Sequence, residues 1–197
     1  MSLTQHLKEG IACLKPIYER GIGNATQIIT VPGNSYIDTR ITKSVLKHLA
    51  RLYGVDLSAM RKNYGEIVGQ KNMVPIPFNK NLLMIPLKMR KPITRNDGTT
   101  GYINLTQLEA VKDQGENQVL LILKNGIQVR CLMKASTVEK HVRNARIVLQ
   151  HYQQTHTRLK FPLYHIKDFF SDSSRPATKG DIAILVKEIL CIKEKLG

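Results

Sequence analysis

The chain has 197 residues, of which 42% are hydrophobic, and its 30 Lys and Arg outnumber 15 Asp and Glu to give a formal charge of +15. This length and apolar content suit one folded domain and argue against intrinsic disorder. The chain has no apolar run of the roughly 20 residues that span a membrane, no secretory signal core at its start and no Cys-x-x-Cys pair, so we expect a cytoplasmic protein with buried thiols and no membrane partner.

The positive charge is concentrated in two segments. Residues 38–95 carry a net charge of +9 and residues 134–160 carry +5, whereas residues 96–133 between them carry −1. Clustered charge of this kind favours a polyanionic partner, and the alternative is a solvated basic face without a partner.

The first part of the chain predicts strands and one amphipathic helix. Residues 1–25 show no clear element, because a proline and a Gly-x-Gly turn interrupt a hint of helical spacing. β-branched residues predict strands over 26–31 and 35–40. A helix with a basic outer face is predicted over 42–53, with Thr42 as its N-cap.

The middle of the chain predicts a hairpin followed by a basic loop. Residues 56–69 are expected to form a short helical turn and an exposed loop. The apolar runs 73–78 and 82–87 form a hairpin, and their prolines predict edge strands or strands with bulges. A loop with four basic residues follows over 88–98, and a strand over 101–105.

The last part predicts the clearest elements. Asn125-Gly126 between two β-rich runs predicts a hairpin, and a capping box that begins at Ser136 starts a helix to about Thr155. After a polar link over 171–180, a last helix is predicted. Its buried face would consist of Ile182, Leu185, Val186, Ile189, Ile192 and Leu196.

These elements predict an α+β fold with a mainly antiparallel β-sheet, hairpins and flanking amphipathic helices. Residues 1–160 would form a single α+β DNA-binding domain, and residues 161–197 a linker and a C-terminal amphipathic helix.

Catalytic motifs are missing from the sequence. It has no phosphate-binding loop, nucleophile elbow or His-Glu-x-x-His motif. The six histidines have no ligand spacing with Cys or acidic residues, and acids are too sparse in the basic segments for a two-metal nuclease. Cys131 is expected to be a buried, inert thiol. We therefore expect no enzyme, no catalytic residue, no metal and no cofactor.

Three basic clusters are candidates for phosphate contacts, because Lys and Arg on loops and helix termini serve this purpose. Arg also has a planar fork that reads guanine edges or enters a narrow minor groove. Few aromatic residues lie beside the clusters, which favours duplex DNA over single strands. The candidate DNA-binding residues are Arg61, Lys62, Lys88, Arg90, Lys91, Arg95, Lys134, Lys140 and Arg143.

Several short motifs follow one another in a characteristic order. They are Ala-Arg-Leu-Tyr-Gly from Ala50, Arg61-Lys62 before Gly65, Val-Pro-Ile-Pro from Val74, Leu-Leu-Met-Ile-Pro from Leu82, Gly101-Tyr102-Ile103, Leu-Lys-Asn-Gly from Leu123, and a capped helix with Val142, Arg143 and Ala145. Over roughly residues 20–160 this order resembles the ComK family of competence transcription factors of Gram-positive bacteria. The resemblance implies activation of DNA-uptake genes through AT-rich promoter boxes, largely by the minor groove. It also implies homo-oligomers on paired sites and turnover through a proteolytic adaptor.

A weaker likeness covers residues 81–150, through the Gly-Tyr-Ile-Asn-Leu run, the Lys-Asn-Gly hairpin and the basic residue before the helix. These features are similar to the second half of LytTR-type DNA-binding domains. That resemblance implies that loops enter the DNA grooves, with Lys134 and the loop 95–100 as contact sites.

We therefore predict a transcriptional activator that binds AT-rich double-stranded DNA. The main alternative is an RNA-binding or ribosome-associated basic protein, because clustered charge does not separate the two. A protein-interaction adaptor with an acidic partner is a third class.

Overall fold

A computed structural model describes residues 8–95 and 97–158, together with Lys179, Ile182 and Val186. The strands are β1 (Ile11–Glu19), β2 (Gly23–Thr30), β3 (Ser35–Asp38), β4 (Ile76–Asn79), β5 (Leu82–Lys88), β6 (Thr100–Asn104), β7 (Leu108–Asp113), β8 (Val119–Leu123) and β9 (Gln128–Cys131). The helices are α1 (Thr42–Leu52), α2 (Leu57–Val68) and α3 (Ala135–Arg158), with a 3-10 turn at Leu105–Gln107.

The strands form two antiparallel sheets. The larger sheet has the order β3-β2-β1-β6-β5-β4, and the smaller has the order β7-β8-β9. Apolar side chains of α1 pack with one set of residues from the larger sheet. A second core joins other residues of that sheet to the smaller sheet and α3. The predicted α+β class with a mainly antiparallel sheet is therefore confirmed.

Strand β1 lies at the centre of the larger sheet, although no element is predicted there. Ala12 and Cys13 belong to one core, whereas Ile11 and Leu14 belong to the other. A strand that is buried on both faces has no alternation of polar and apolar residues, which removes the usual strand signal. Pro16 is tolerated because β6 pairs with β1 only at Cys13 and Leu14.

The prediction of edge strands or strands with bulges is correct for β4, which lies at the edge and has a register shift between Pro77 and Asn79. It is wrong for β5, which is internal and pairs with β6 in regular register. Strand β4 pairs with β5 only as far as Met84. Pro86 lies beyond that point and opposite Tyr102 of β6. The missing N–H of the proline therefore interrupts no ladder on the β4 side.

The prediction of a short helical turn and a loop over 56–69 is wrong, because these residues contain the whole of α2. The Asp56 side chain caps the helix by accepting hydrogen bonds from two backbone N–H groups of the first turn, at 2.7 and 3.2 Å. Gly69 ends it in the left-handed conformation with a φ of 62°, which glycine adopts readily. Only Tyr64 and Gly65 of this helix are fully buried, so its apolar stripe is narrow.

Two predicted helix starts are displaced, by one residue in α1 and by two residues in α3. The N-cap of α1 is Ile41. Thr42 is instead buried, with its hydroxyl 3.3 Å from that of Thr26. In α3 the carbonyl of Lys134 accepts the first helical hydrogen bonds, at 3.0 and 3.1 Å, so this helix begins before the predicted capping box.

The chain divides into two compact units, Met1–Thr155 and His156–Gly197. In the second unit, Ile182 and Val186 are helical and exposed by 57% and 49%. The prediction that these two side chains belong to a buried face is therefore wrong. The other residues of that predicted face lie outside the described residues.

Candidate nucleic-acid interface

Basic side chains from three separate elements line a groove at the start of α1. Lys43 of α1, Arg61 of α2 and Arg90 of the loop after β5 all line this open groove of about 460 Å³, which we call the basic groove. The N-cap Ile41 provides no side-chain hydrogen bond, and the first turn contains no acidic residue. Free N–H groups and the helix dipole add to the positive potential at such a terminus. The basic groove thus has the chemistry of an anion site.

Tyr102 of β6 also lines the basic groove and is only 8% exposed. Burial raises the pKa of Tyr102, and Arg61 opposes this effect through its charge and a hydrogen bond with the phenol. Arg61 forms no ion pair with a carboxylate of the described residues. Because its neighbour is a neutral phenol, Arg61 keeps its full charge for a ligand.

Two further grooves each share one arginine with the basic groove. One of about 540 Å³ runs along α2 and shares Arg61. Another of about 530 Å³ lies beside the loop after β5 and shares Arg90. Together the three grooves form a surface that we call the cationic strip. Its cations are Lys43, Arg61, Lys62, Lys71, Lys88, Arg90 and Lys91, and its acidic lining residues are Glu66 and Glu116.

Residues 89–99, which we call the basic loop, are anchored where they leave β5. The buried Met89 donates its N–H to the carbonyl oxygen of Thr99 at 2.9 Å. Its sulfur packs against Gly101, where a Cβ atom would lie 2.8 Å from the carbonyl oxygen of Leu14. Glycine is therefore required for the close approach of β1 and β6. The contacts of Met89 fix the position at which the basic loop begins.

Arg90 fastens the basic loop to the hairpin of β1 and β2. Its guanidinium donates to the carbonyl oxygens of Ile17 and Gly98 at 2.7 and 2.8 Å, and to the side-chain oxygen of Asn24. It also lies 4.7 Å from the ring centre of Tyr18. Three of its five N–H groups are thus used within the fold, so Arg90 acts first as a positioning residue.

Asp97 fastens the far end of the same loop. Its carboxylate accepts hydrogen bonds from the Tyr18 hydroxyl at 2.8 Å and the Asn24 amide at 3.0 Å. It also accepts from the N–H groups of Ile93 and Thr94 at 2.8 and 2.6 Å and from the Thr94 hydroxyl at 2.8 Å. These bonds, with that from Asn24 foremost, hold the pKa of Asp97 well below its usual range. We call Tyr18, Asn24, Arg90 and Asp97 the loop clamp.

The clamp leaves the outer cations of the loop available. Lys91 and Arg95 are exposed, and neither forms an ion pair with a described carboxylate. Lys88 is exposed at the end of β5, and its carbonyl accepts a 2.6 Å hydrogen bond from Leu132. This bond brings the start of the basic loop beside the segment that leads to Lys134.

The cations of the second basic segment line none of the grooves of the strip, although Leu132, two residues before Lys134, lines one of them. Lys134 and Lys140 are exposed at the start of α3 and line none of the three grooves of the strip. Arg143 lines another groove, of about 590 Å³, together with residues of α3 and β7. The charged residues of this groove, which we call the neutral groove, are Glu109, Glu139, Arg143 and Arg146. Of the predicted residues, the three grooves thus bring together Arg61, Lys62, Lys88, Arg90 and Lys91. Arg95 lines none of these grooves, and Arg143 lines a different one.

Sequence reasoning misses Lys43 and three residues of the clamp. Lys43 has a signal, since it lies in the first turn of a helix with no acid in that turn. The clamp has none, because its contacts are between distant segments: Asn24 and Asp97 are 73 residues apart.

The described residues contain no cluster of three His, Cys, Asp or Glu suited to a metal. Burial raises the pKa of Cys13 and Cys131 to about 12, so neither thiol is ionised at neutral pH. The predicted inert thiol at Cys131 is confirmed. Among the helices of the described residues, none has the length and apolarity to span a membrane.

Comparison of the chain with models of protein families, with curated proteins and with solved structures gives no match. The cationic strip and the loop clamp are therefore the features from which a function can be inferred.

Proposed function

We propose that this protein is a cytoplasmic DNA-binding transcriptional regulator that acts by binding, without catalysis, metal or cofactor. The observation that carries the proposal is the meeting of Lys43, Arg61 and Arg90 at the uncapped start of α1. Duplex DNA presents one negative charge per ~1.7 Å of its axis. Lys and Arg on loops, together with helix N-termini, are the groups that contact phosphates. Three grooves that are lined by such groups and linked through Arg61 and Arg90 suit the phosphates of a duplex.

The scarcity of exposed rings supports duplex DNA over a single strand. Tyr102 is almost fully buried, and Tyr18, although 40% exposed, has one face of its ring occupied by the Arg90 guanidinium. Proteins that bind single strands stack the bases on exposed aromatic side chains. The strip offers charge without such a stacking surface.

The loop clamp supports a mode in which the basic loop enters a groove of the DNA. A loop already fixed in its bound shape loses little conformational entropy on binding. Arg95 would then reach base edges or a narrow minor groove, while Lys91 contacts phosphate. This mode agrees with the resemblance to LytTR-type domains, which use loops in the same way.

The resemblance to the ComK family supports a finer proposal. The protein would activate competence genes from AT-rich promoter boxes, as a homo-oligomer on paired sites, with its level controlled by a proteolytic adaptor. A-tracts have a narrow minor groove that attracts Arg side chains, which suits a loop that carries Arg95.

A gel shift on an AT-rich duplex, repeated across salt concentrations, tests the proposal. If five or six cations of the strip contact phosphates, the logarithm of the binding constant should fall with a slope of about −5 against the logarithm of salt concentration. Absence of binding at low salt would refute the proposal. Preference for a structured RNA in competition would favour the RNA-binding alternative.

Matched double variants locate the interface. Lys62→Ala with Lys91→Ala, at two exposed lysines of the strip, should reduce the steepness of the salt slope by about 2, one for each phosphate-binding cation removed. Lys112 and Lys124 are equally exposed but lie outside the strip, so their replacement by Ala should leave the slope unchanged. An equal reduction from both pairs would show that binding depends on total charge, not on the strip.

A further inference from the structure

Ile93 stands at the tip of the basic loop with 73% of its surface exposed, more than any other large apolar side chain of the described residues. An isoleucine in this position gains nothing from burial. Pro92, which precedes it, is also exposed. The tip of the most basic loop is therefore apolar.

The backbone of Ile93 is held firmly. Its N–H donates to the Asp97 carboxylate at 2.8 Å, and the carbonyl of Thr94 accepts from the N–H of Asp97 at 3.1 Å. Asp97 is in turn fixed by Tyr18 and Asn24 of the loop clamp. The clamp thus fixes the backbone from which this side chain projects.

Cations flank the apolar tip on both sides. Lys91 precedes Ile93 by two residues and Arg95 follows it by two, and both are exposed. Proteins that bend DNA through the minor groove combine phosphate-binding cations with an apolar side chain such as Ile or Pro. The apolar side chain enters between two base pairs and unstacks them.

We propose that Ile93 is an apolar wedge that enters the minor groove of a bound duplex, unstacks one base step and kinks the DNA. This inference rests on the proposed DNA-binding function. The cations of the strip hold the duplex, and the clamp keeps the wedge extended so that binding does not have to order it. Pyrimidine–purine steps such as TA are the sites where kinking is easiest.

The test uses the full chain and an AT-rich duplex with 2-aminopurine at a TA step and a fluorophore at each end. Binding of the wild type should raise 2-aminopurine fluorescence and increase energy transfer between the ends. Ile93→Ala should bind about tenfold more weakly, because alanine buries less apolar surface between the bases. Its salt slope should be unchanged, and both optical signals should return towards those of free DNA. Ile93→Leu should retain them.

Ile37→Ala is the matched control, because Ile37 is also exposed, by 53%, but lies on β3 away from the basic loop. It should behave as the wild type does. Binding of the wild type without unstacking, or unstacking by Ile93→Ala at the level of the wild type, would overturn the wedge and leave DNA binding intact. Failure of the wild type to bind at low salt would overturn both. A wild-type dimer that Ile93→Ala dissociates in the absence of DNA would assign Ile93 to a contact between copies and overturn the wedge.

Discussion

The cationic strip and the neutral groove both contain exposed arginines, yet their electrostatic character differs. In the strip, seven cations share three grooves with two glutamates. In the neutral groove, Arg143 and Arg146 share the lining with Glu109 and Glu139. Glu109 comes from β7, in a different part of the sequence. The position of a cation along the chain therefore does not decide its availability, because residues from other elements can cancel its charge.

The two surfaces also differ in how their cations are supported. Arg143 stands on the regular backbone of α3. The basic loop has no regular secondary structure, and side chains from β1 and β2 hold it in place. A loop surface of this kind depends on residues that do not touch the ligand. Substitution of those supporting residues should therefore weaken ligand binding.

Asp97→Ala should have the largest effect, because it removes five hydrogen bonds of the clamp. We expect a lower Tm, faster trypsin cleavage after Arg95, and DNA affinity reduced by about tenfold as the loop loses its preorganisation. Asp113→Ala is the control, since Asp113 closes the β7–β8 turn through a single bond to Gly115. A variant at Asp97 with the trypsin resistance of the wild type would refute the clamp.

Arg90→Lys should have the next largest effect, although it preserves charge. Lys lacks the planar fork that reaches three acceptors at once, so we expect a lower Tm and DNA affinity reduced roughly threefold to fivefold, with the salt slope unchanged. Arg95→Lys keeps the charge at an exposed position and should leave the Tm at its wild-type value. Arg90 would prove to be a direct contact if Arg90→Lys reduced affinity without any decrease in Tm.

Substitutions in the neutral groove should have a smaller effect on DNA affinity, and that effect should be an increase. Replacement of Glu109 and Glu139 by Gln should free the charges of Arg143 and Arg146 and raise DNA affinity about twofold to threefold at low salt. Arg143→Ala alone should change the affinity by less than about twofold, because Glu109 and Glu139 in the same groove lower the positive potential around Arg143. An effect of Arg143→Ala as large as that of Lys91→Ala would place the second basic segment in the interface.

Much of the architecture can be predicted from local sequence, whereas the support of the site cannot. Asn125-Gly126 identifies the β8–β9 hairpin, since that turn chemistry is local, and the apolar stripe of α3 identifies its buried face. Strand β1 is not predicted, because both of its faces are buried and its sequence does not alternate. Helix α2 is not predicted, because only Tyr64 and Gly65 are buried along it. The loop clamp joins segments more than 60 residues apart, and no local pattern encodes such a contact.

The two regions should also lose stability in different ranges of pH. His141 of α3 is only 6% exposed, and its Nδ1 has no hydrogen-bond partner among the described residues. Burial, with a smaller effect from the charge of Lys140, lowers the pKa of His141 below its ordinary 6.5. The pKa of Asp97 is likewise held below its ordinary 3.8. Each group therefore ionises differently in the folded and unfolded chains.

When the pKa of a group is lower in the folded chain than in the unfolded chain, the unfolded chain binds more protons at pH values between the two. Stability therefore falls as the pH falls through that interval. The contribution of His141 is complete above pH 6.5 and declines below it, whereas that of Asp97 is complete above pH 3.8. Urea unfolding of His141→Gln should thus show a flatter stability profile between about pH 7 and pH 5, while trypsin resistance of the basic loop stays at the wild-type level. Asp97→Asn should flatten the profile only below about pH 4. A His141→Gln profile as steep as that of the wild type between about pH 7 and pH 5 would mean that another group binds the destabilising proton. The buried face of α3 would then not be the acid-sensitive part of the fold.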